Sequence, residues 1–140
     1  MISYQPAKNL SKSAEITYNN MRSYYEHYDV DWPQSKILEQ IIDLDNWDIL
    51  FDGQVIGALR LSFDRDTCHL RDLQVNKRFQ NKGIGAMALA ESTRLALNSG
   101  ANKLSLKVFK ISPAHHLYQR TGFKITSEDG RFYYMEQVIT

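Results

Sequence analysis

Residues 80–86 read Gln80-Asn81-Lys82-Gly83-Ile84-Gly85-Ala86. They follow a strand-like run, His69 to Val75, and open a helix-like run, Gly83 to Ser99. A strand, a glycine-containing loop and a helix start, in that order, make a place to hold an anion. The first four N–H groups of a helix have no partner within it, and together they carry about half a unit of positive charge. Glycine lets the backbone close on a phosphate with no Cβ in the way. The stretch therefore predicts a phosphate-bearing ligand near Gly83 and Gly85, with Lys82 beside it.

Two glycines at i and i+2 are, taken alone, equally compatible with a helix that merely follows a polar loop. Gly83-x-Gly85-x-x-Ala88 also matches the dinucleotide fingerprint, but the context does not. Asn76 to Lys82 separate the glycines from their strand, and the next strand-like run, Leu104 to Phe109, ends without an acid for a ribose. No Gly-Lys-Ser/Thr follows, which removes the Walker P-loop.

Wider spacing decides the matter. Leu70-x-x-Leu73-x-Val75 comes first, then Gln80-x-x-Gly83-x-Gly85-Ala86, then Ala114-x-x-Leu117-Tyr118-x-x-x-Gly122-Phe123. In this order the three pieces closely resemble the GNAT superfamily of N-acetyltransferases, whose acetyl-CoA signature is Arg/Gln-x-x-Gly-x-Gly/Ala. The match covers residues 68 to 123. It implies one acyltransferase domain over 1–140 with an α/β (α+β) fold. The central sheet is then mixed and mostly antiparallel, with helices on both faces. It splays between the fourth and fifth strands, and acetyl-CoA lies in the V-shaped cleft.

Composition agrees with a single folded domain. A chain of 140 residues suits one domain and is long enough for a well-buried core. With 43% hydrophobic residues and a net charge of +1, nothing biases the whole chain toward nucleic acid or a membrane surface. A single cysteine, Cys68, excludes an internal disulfide and a Cys-rich zinc site. No apolar run approaches the roughly 20 residues that span a bilayer. The amino terminus, Met1-Ile2-Ser3-Tyr4-Gln5-Pro6, lacks the order of a signal peptide. The expected setting is the cytoplasm, with no metal and no nucleic-acid partner; a homodimer is left open.

In chain order, Ile2 to Gln5 predict a short edge strand stopped by Pro6. Ser13 to Tyr28 predict a helix, and Gln34 to Ile42 a second one with Pro33 in its first turn. Asp52-Gly53 between Trp47–Phe51 and Val55–Phe63 is a hairpin signal. Thr67 to Val75 add a third antiparallel strand. The helix Gly83 to Asn98 ends at Gly100. Lys103 to Phe109 predict a strand parallel to Thr67–Val75. A short helix from Ser112 or Pro113 to Arg120 ends at Gly122, and Phe123–Thr126 with Phe132–Val138 close the sheet. These runs make seven strands in all.

The resemblance assigns roles by position. Backbone groups of Leu73, Gln74 and Val75 hold the pantetheine and the acetyl carbonyl. Gln80, Asn81, Lys82, Gly83, Ile84, Gly85 and Ala86 take the pyrophosphate. Ser112 stands where many members carry asparagine, and Ala114 follows it on the pantetheine side. Serine still bonds to the cofactor or caps the helix, so weaker or altered contact is expected there. Tyr118 matches the family tyrosine that protonates the leaving thiolate, and a free tyrosine, with a pKa of about 10, is protonated at neutral pH. The base stays open among His69, whose ordinary pKa of about 6.5 suits proton removal at neutral pH, Asp72, and water. A bulge expected in this strand leaves open which side chains face the cleft. Tyr24, Tyr28 and Trp32, with Tyr25 and nearby acids, are candidates for binding a cationic amine by cation–π contact, although an aromatic core patch explains them equally well. Cys68 reads as a small buried residue, not a nucleophile.

The expected activity is direct acetyl transfer from acetyl-CoA to a primary amine of a small molecule or protein. The alternative is a catalytically weak or inactive acyl-CoA-binding regulatory module. Retention of Tyr118 and of the whole phosphate loop favours the enzyme.

Overall fold

A computed structural model describes residues 1–140. The elements run β1 (Ile2–Pro6), α1 (Leu10–His27), α2 (Gln34–Ile41), β2 (Asp45–Phe51), β3 (Gln54–Asp64), β4 (Thr67–Val75), α3 (Ile84–Asn98), β5 (Lys103–Phe109), α4 (Ala114–Arg120), β6 (Lys124–Glu128) and β7 (Phe132–Val138), with one 3₁₀ turn at Lys77–Phe79. All seven strands form one sheet in the order β1-β2-β3-β4-β5-β7-β6. Every neighbouring pair is antiparallel except β4 and β5, which run parallel.

Local chemistry accounts for the ends of the elements. Asn9 caps α1, its side-chain oxygen accepting from Lys12 N–H at 3.1 Å. The helix thus begins at Leu10, ahead of the expected Ser13, because the cap lies outside the apolar pattern. Asp52 and Gly53 both have positive φ, +49° and +84°, as a two-residue type I′ turn requires. Gly100 and Gly122 take positive φ just beyond α3 and α4 and stop them there.

Strand alternation sorts the helices onto two faces. Leu104, Leu106 and Val108 of β5 join the main core with Ile84, Ala88 and Leu89 of α3 and Tyr118 of α4. The next residue, Phe109, turns to the other face and packs with Ala14 and Tyr25 of α1 and Ile37 and Ile41 of α2. The sheet therefore has α3 and α4 on one side and α1 and α2 on the other.

Two irregularities shape the centre. Arg60 pairs with Asp72 and Leu61 with Leu70, so Arg71 is an extra residue bulged out of β4. The bulge turns Asp72 away from the face that Leu70 occupies. Second, β4 and β5 pair only at Thr67–Lys103, Cys68–Leu104 and His69–Ser105. Beyond His69 and Ser105 the two strands separate, leaving the second half of β4 with an unpaired edge. This is the expected splay.

Candidate active site

The cleft opens where β4 and β5 part. Gln74 directs its carbonyl at β3, so close that a Cβ on Gly57 would run into it. Val75, one residue on, directs its carbonyl the other way. It accepts from Asn20 Nδ2 and Gln80 Nε2, both at 2.9 Å. By strand alternation, Leu73 and Val75 turn their backbone groups to the open edge and Gln74 does not. The Gln74 side chain is buried on the α1 face, where Asn20 donates to it at 3.2 Å.

The loop after β4 is built for an anion. Asn81 and Gly83 have φ of +60° and +80°. Gly83 is the N-cap of α3, and no side chain caps this helix. The N–H groups of Gly83, Ile84, Gly85 and Ala86 have no partner in the protein, and the macrodipole makes that end positive. Lys82 reaches back over the Phe79 ring, 5.8 Å from its centroid. Gly85 serves the packing instead. A Cβ there would lie 2.9 Å from Leu117 Cδ2, so glycine lets α4 seat against α3. The free N–H groups of this loop and its positive helix start suit an anion such as a diphosphate.

Tyr118 lies on α4 among core residues, edge-on to Phe123 with centroids 5.8 Å apart. Burial pushes its hydroxyl pKa well above the ordinary tyrosine value, and the negative charge of Asp72 adds to the rise. The hydroxyl is thus held in its protonated form. Ser112 is buried, and its Oγ accepts from Ala114 N–H at 3.2 Å, which caps α4. Its hydroxyl hydrogen remains available as a donor.

Asp72 sits in a network that the sequence did not reveal. Arg60 is fully buried, and all five of its N–H groups are used. Nε donates to Asn46 Oδ1 at 3.0 Å, and Nη1 donates to Thr17 Oγ1 at 2.7 Å and to Asp72 Oδ2 at 2.9 Å. Nη2 donates to the Ser13 carbonyl at 2.9 Å and to Ser13 Oγ at 2.7 Å. A lone arginine inside the apolar run Ile56 to Leu61 was the available signal. His69 stands at the last paired position of β4, with Nδ1 hydrogen-bonded to Ser105 Oγ and Nε2 without a protein partner. Burial raises the Cys68 thiol to about 11, aided by Asp45, so it stays a thiol and is no nucleophile.

Helix α1 crosses the sheet over the cleft. Ser13 and Thr17 meet Arg60, Asn20 meets Val75, and Tyr24, Tyr25 and Tyr28 pack on Phe109 at the far end of β5. The candidate acceptor residues separate here. Trp32 lines an open hollow of about 190 Å³ with Tyr18, Tyr25, Glu26 and Asp31. Tyr24 and Tyr28 instead stack on Phe109 at 5.9 and 5.1 Å. Tyr25 is the residue that reaches both places. It meets Trp32 edge-on at 5.3 Å, and the charge of Asp72 contributes, after burial, to raising its hydroxyl pKa.

A sheet splayed between two parallel strands, with an uncapped helix start at its mouth, makes a cleft that suits an anionic ligand. The family model described as "Acetyltransferase (GNAT) family" matches residues 14–123, more than half of the chain. The chain belongs to the GNAT family, whose acetyl donor is acetyl-CoA. Among curated proteins it is similar to a spermidine N(1)-acetyltransferase of Thermoplasma acidophilum, at 28% identity over 81% of this chain and 78% of that one. It is also 29% identical to a streptothricin acetyltransferase of Streptomyces lavendulae, over 59% of this chain and 45% of that protein. Among solved structures, PaiA N-acetyltransferase of T. acidophilum in complex with coenzyme A superposes with a TM-score of 0.77 at 22% identity, covering 99% of both chains. A GNAT acetyltransferase of Elizabethkingia anophelis with acetyl-CoA bound gives 0.72 at 18% identity, over 98% of this chain and 97% of that one. No helix is long and apolar enough to cross a membrane.

Proposed function

We propose that this chain transfers the acetyl group of acetyl-CoA directly to a primary amine of a small cationic molecule. The observation that carries this reading is the hollow on α1, where Asp31 stands beside the rings of Tyr25 and Trp32, while Arg22 engages Glu26 at 3.7 Å and lies over the Tyr18 ring at 5.9 Å. Carboxylates and aromatic faces together favour an ammonium-bearing ligand. Tyr25 lines the hollow and also meets Phe109 of β5. The relative named for spermidine, an aliphatic amine, points to the same class of acceptor.

Bound acetyl-CoA supplies the acetyl group and a thiolate leaving group. The residues divide the remaining work. The N–H groups of Gly83, Ile84, Gly85 and Ala86, with Lys82, hold the diphosphate, and the free edge at Leu73 and Val75 holds the pantetheine. An N–H on that edge donates to the acetyl oxygen as it gains charge. Ser112 and Ala114 close the pantetheine side. Asp72, its Oδ2 held by Arg60, offers Oδ1 to the incoming amine. The amine proton leaves through His69 or water. Tyr118 gives its proton to the departing sulfur.

A thiol-release assay with spermidine, simple diamines, free amino acids and a peptide amino terminus tests this. Acetyl-CoA-dependent release with the aliphatic amines, and a raised KM for them in Asp31→Asn and Trp32→Ala, is the expected result. Turnover with the peptide alone would move the acceptor out of this hollow. Tight acetyl-CoA binding without release for any amine would favour a regulatory acyl-CoA-binding module instead.

A further inference from the structure

A hollow larger than the one beside Trp32 lies outside the cleft. It measures about 490 Å³ and lies between the start of α1 and strands β1 to β3. Its size falls within the range of small-molecule sites, about 300–1,000 Å³. Four charged side chains line it, Asp48, Glu15, Lys8 and Lys12. None of the four takes part in an ion pair anywhere in the protein.

Asp48 forms the floor and is only 4% exposed. Its Oδ2 accepts from Gln5 Nε2 at 3.0 Å and, more weakly, from Lys8 N–H at 3.4 Å. Its Oδ1 has no protein partner. A buried carboxylate with no cation beside it is costly, and an ammonium group is the natural complement. The first turn of α1 has the opposite need. It contains no acid and carries Lys12. The N–H groups of Leu10 and Ser11 have no protein partner, and the macrodipole adds positive charge there. That turn suits a carboxylate.

We infer that this hollow is a binding site for a free α-amino acid, with its ammonium on Asp48 and Glu15 and its carboxylate on Lys8, Lys12 and the start of α1. A simple cation or a simple anion would leave one pair of like charges without a partner. A zwitterion satisfies both. The hollow touches the loop after β4 only at Asn76 and shares no residue with Gln80–Ala86 or with the α1–α2 hollow, so its ligand binds alongside acetyl-CoA and is not the acetyl acceptor.

Calorimetry of the full chain, saturated with CoA, against each of the common free amino acids tests this. At least one should bind with a dissociation constant of about 1 mM or tighter. Its N-acetyl form and its carboxamide form, each lacking one charge, should bind at least about tenfold more weakly. Asp48→Asn should remove recognition of the ammonium. Glu15→Gln and Lys12→Ala, both exposed and safe for folding, should each weaken binding severalfold. Three outcomes would overturn the site: no binding of any amino acid at about 10 mM, equal binding of the blocked forms, or displacement of the amino acid by acetyl-CoA.

Discussion

Arg60 Nη1 meets Asp72 Oδ2 at 2.9 Å, with the arginine wholly buried and the carboxylate about a quarter exposed. The pair joins β3 to β4 at the bulge, and Arg60 carries the link on to α1 and β2 through Ser13, Thr17 and Asn46. Removing one member strands the other charge inside the protein. Asp72→Ala should therefore cost about 3 kcal/mol of stability, read by urea denaturation. Arg60→Met combined with Asp72→Leu should regain only part of that loss, because no unpaired charge remains but Ser13, Thr17 and Asn46 lose their donor. The double variant should still lack turnover, since the group that receives the amine is gone. A double variant that turns over at the wild-type rate would remove Asp72 from the mechanism.

Tyr118 is offered as an acid, and its surroundings support that role. Burial and Asp72 both raise its hydroxyl pKa. Tyr118→Phe should leave the dissociation constant of acetyl-CoA within about twofold and lower kcat by about 100-fold or more, the usual scale of general acid catalysis. In the wild type, no loss of rate up to about pH 10, the ordinary tyrosine value, should trace to Tyr118, because a raised pKa keeps the proton on. An alkaline limb below that pH that disappears in Tyr118→Phe would contradict the raised value.

The same shift bears on stability. Tyr118 and Tyr25 both hold their protons more tightly folded than unfolded. Above the unfolded value of about 10 the folded state then binds more protons, so stability falls as pH rises further. Below about pH 10 these two groups add no slope. Urea midpoints at about pH 9, 10 and 11 should fall slightly across the lower interval, where Cys68 with its thiol raised to about 11 begins the loss, and more steeply across the upper one, where the tyrosines join it. Tyr25→Phe should flatten the upper interval, and an unchanged slope in that variant would place the alkaline loss elsewhere.

Much of this was legible in the sequence, and the reasons are local. Asp52-Gly53 announces its hairpin because only such residues accept two positive φ values in succession. Gln80 to Ala86 announce the bare start of α3, because glycine there accepts the positive φ that the turn into the helix requires. The splay follows from the family pattern in which Thr67–Val75 and Lys103–Phe109 run parallel. What stayed hidden depends on contacts distant in the chain. Arg60 reads as a break in an apolar strand until Ser13, Thr17, Asn46 and Asp72 are brought around it. Asn20 looks like any polar helix residue until Val75 meets it, 55 positions later. Tyr24, Tyr25 and Tyr28 are neighbours in sequence and all pack on Phe109, yet helical rotation sends only Tyr25 to the hollow as well.

Gly83 and Gly85 stand two residues apart in the signature and should fail in different ways. A Cβ on Gly83 meets nothing within 4 Å, but φ there is +80°. Gly83→Ala thus carries backbone strain of roughly 1–2 kcal/mol at the diphosphate loop. Its main effect should be weaker acetyl-CoA binding, with kcat at saturating cofactor nearly kept. Gly85 has ordinary φ, and its Cβ would press on Leu117 Cδ2 at 2.9 Å. Gly85→Ala therefore moves α4, and Tyr118 moves with it. Here kcat should fall more than cofactor affinity, since misplacing a reacting group by about 1 Å costs on the order of 100-fold. Direct measurement of acetyl-CoA binding beside single-turnover rates separates the two. If both variants lost affinity alone, the contact between α3 and α4 would have no part in setting the acid.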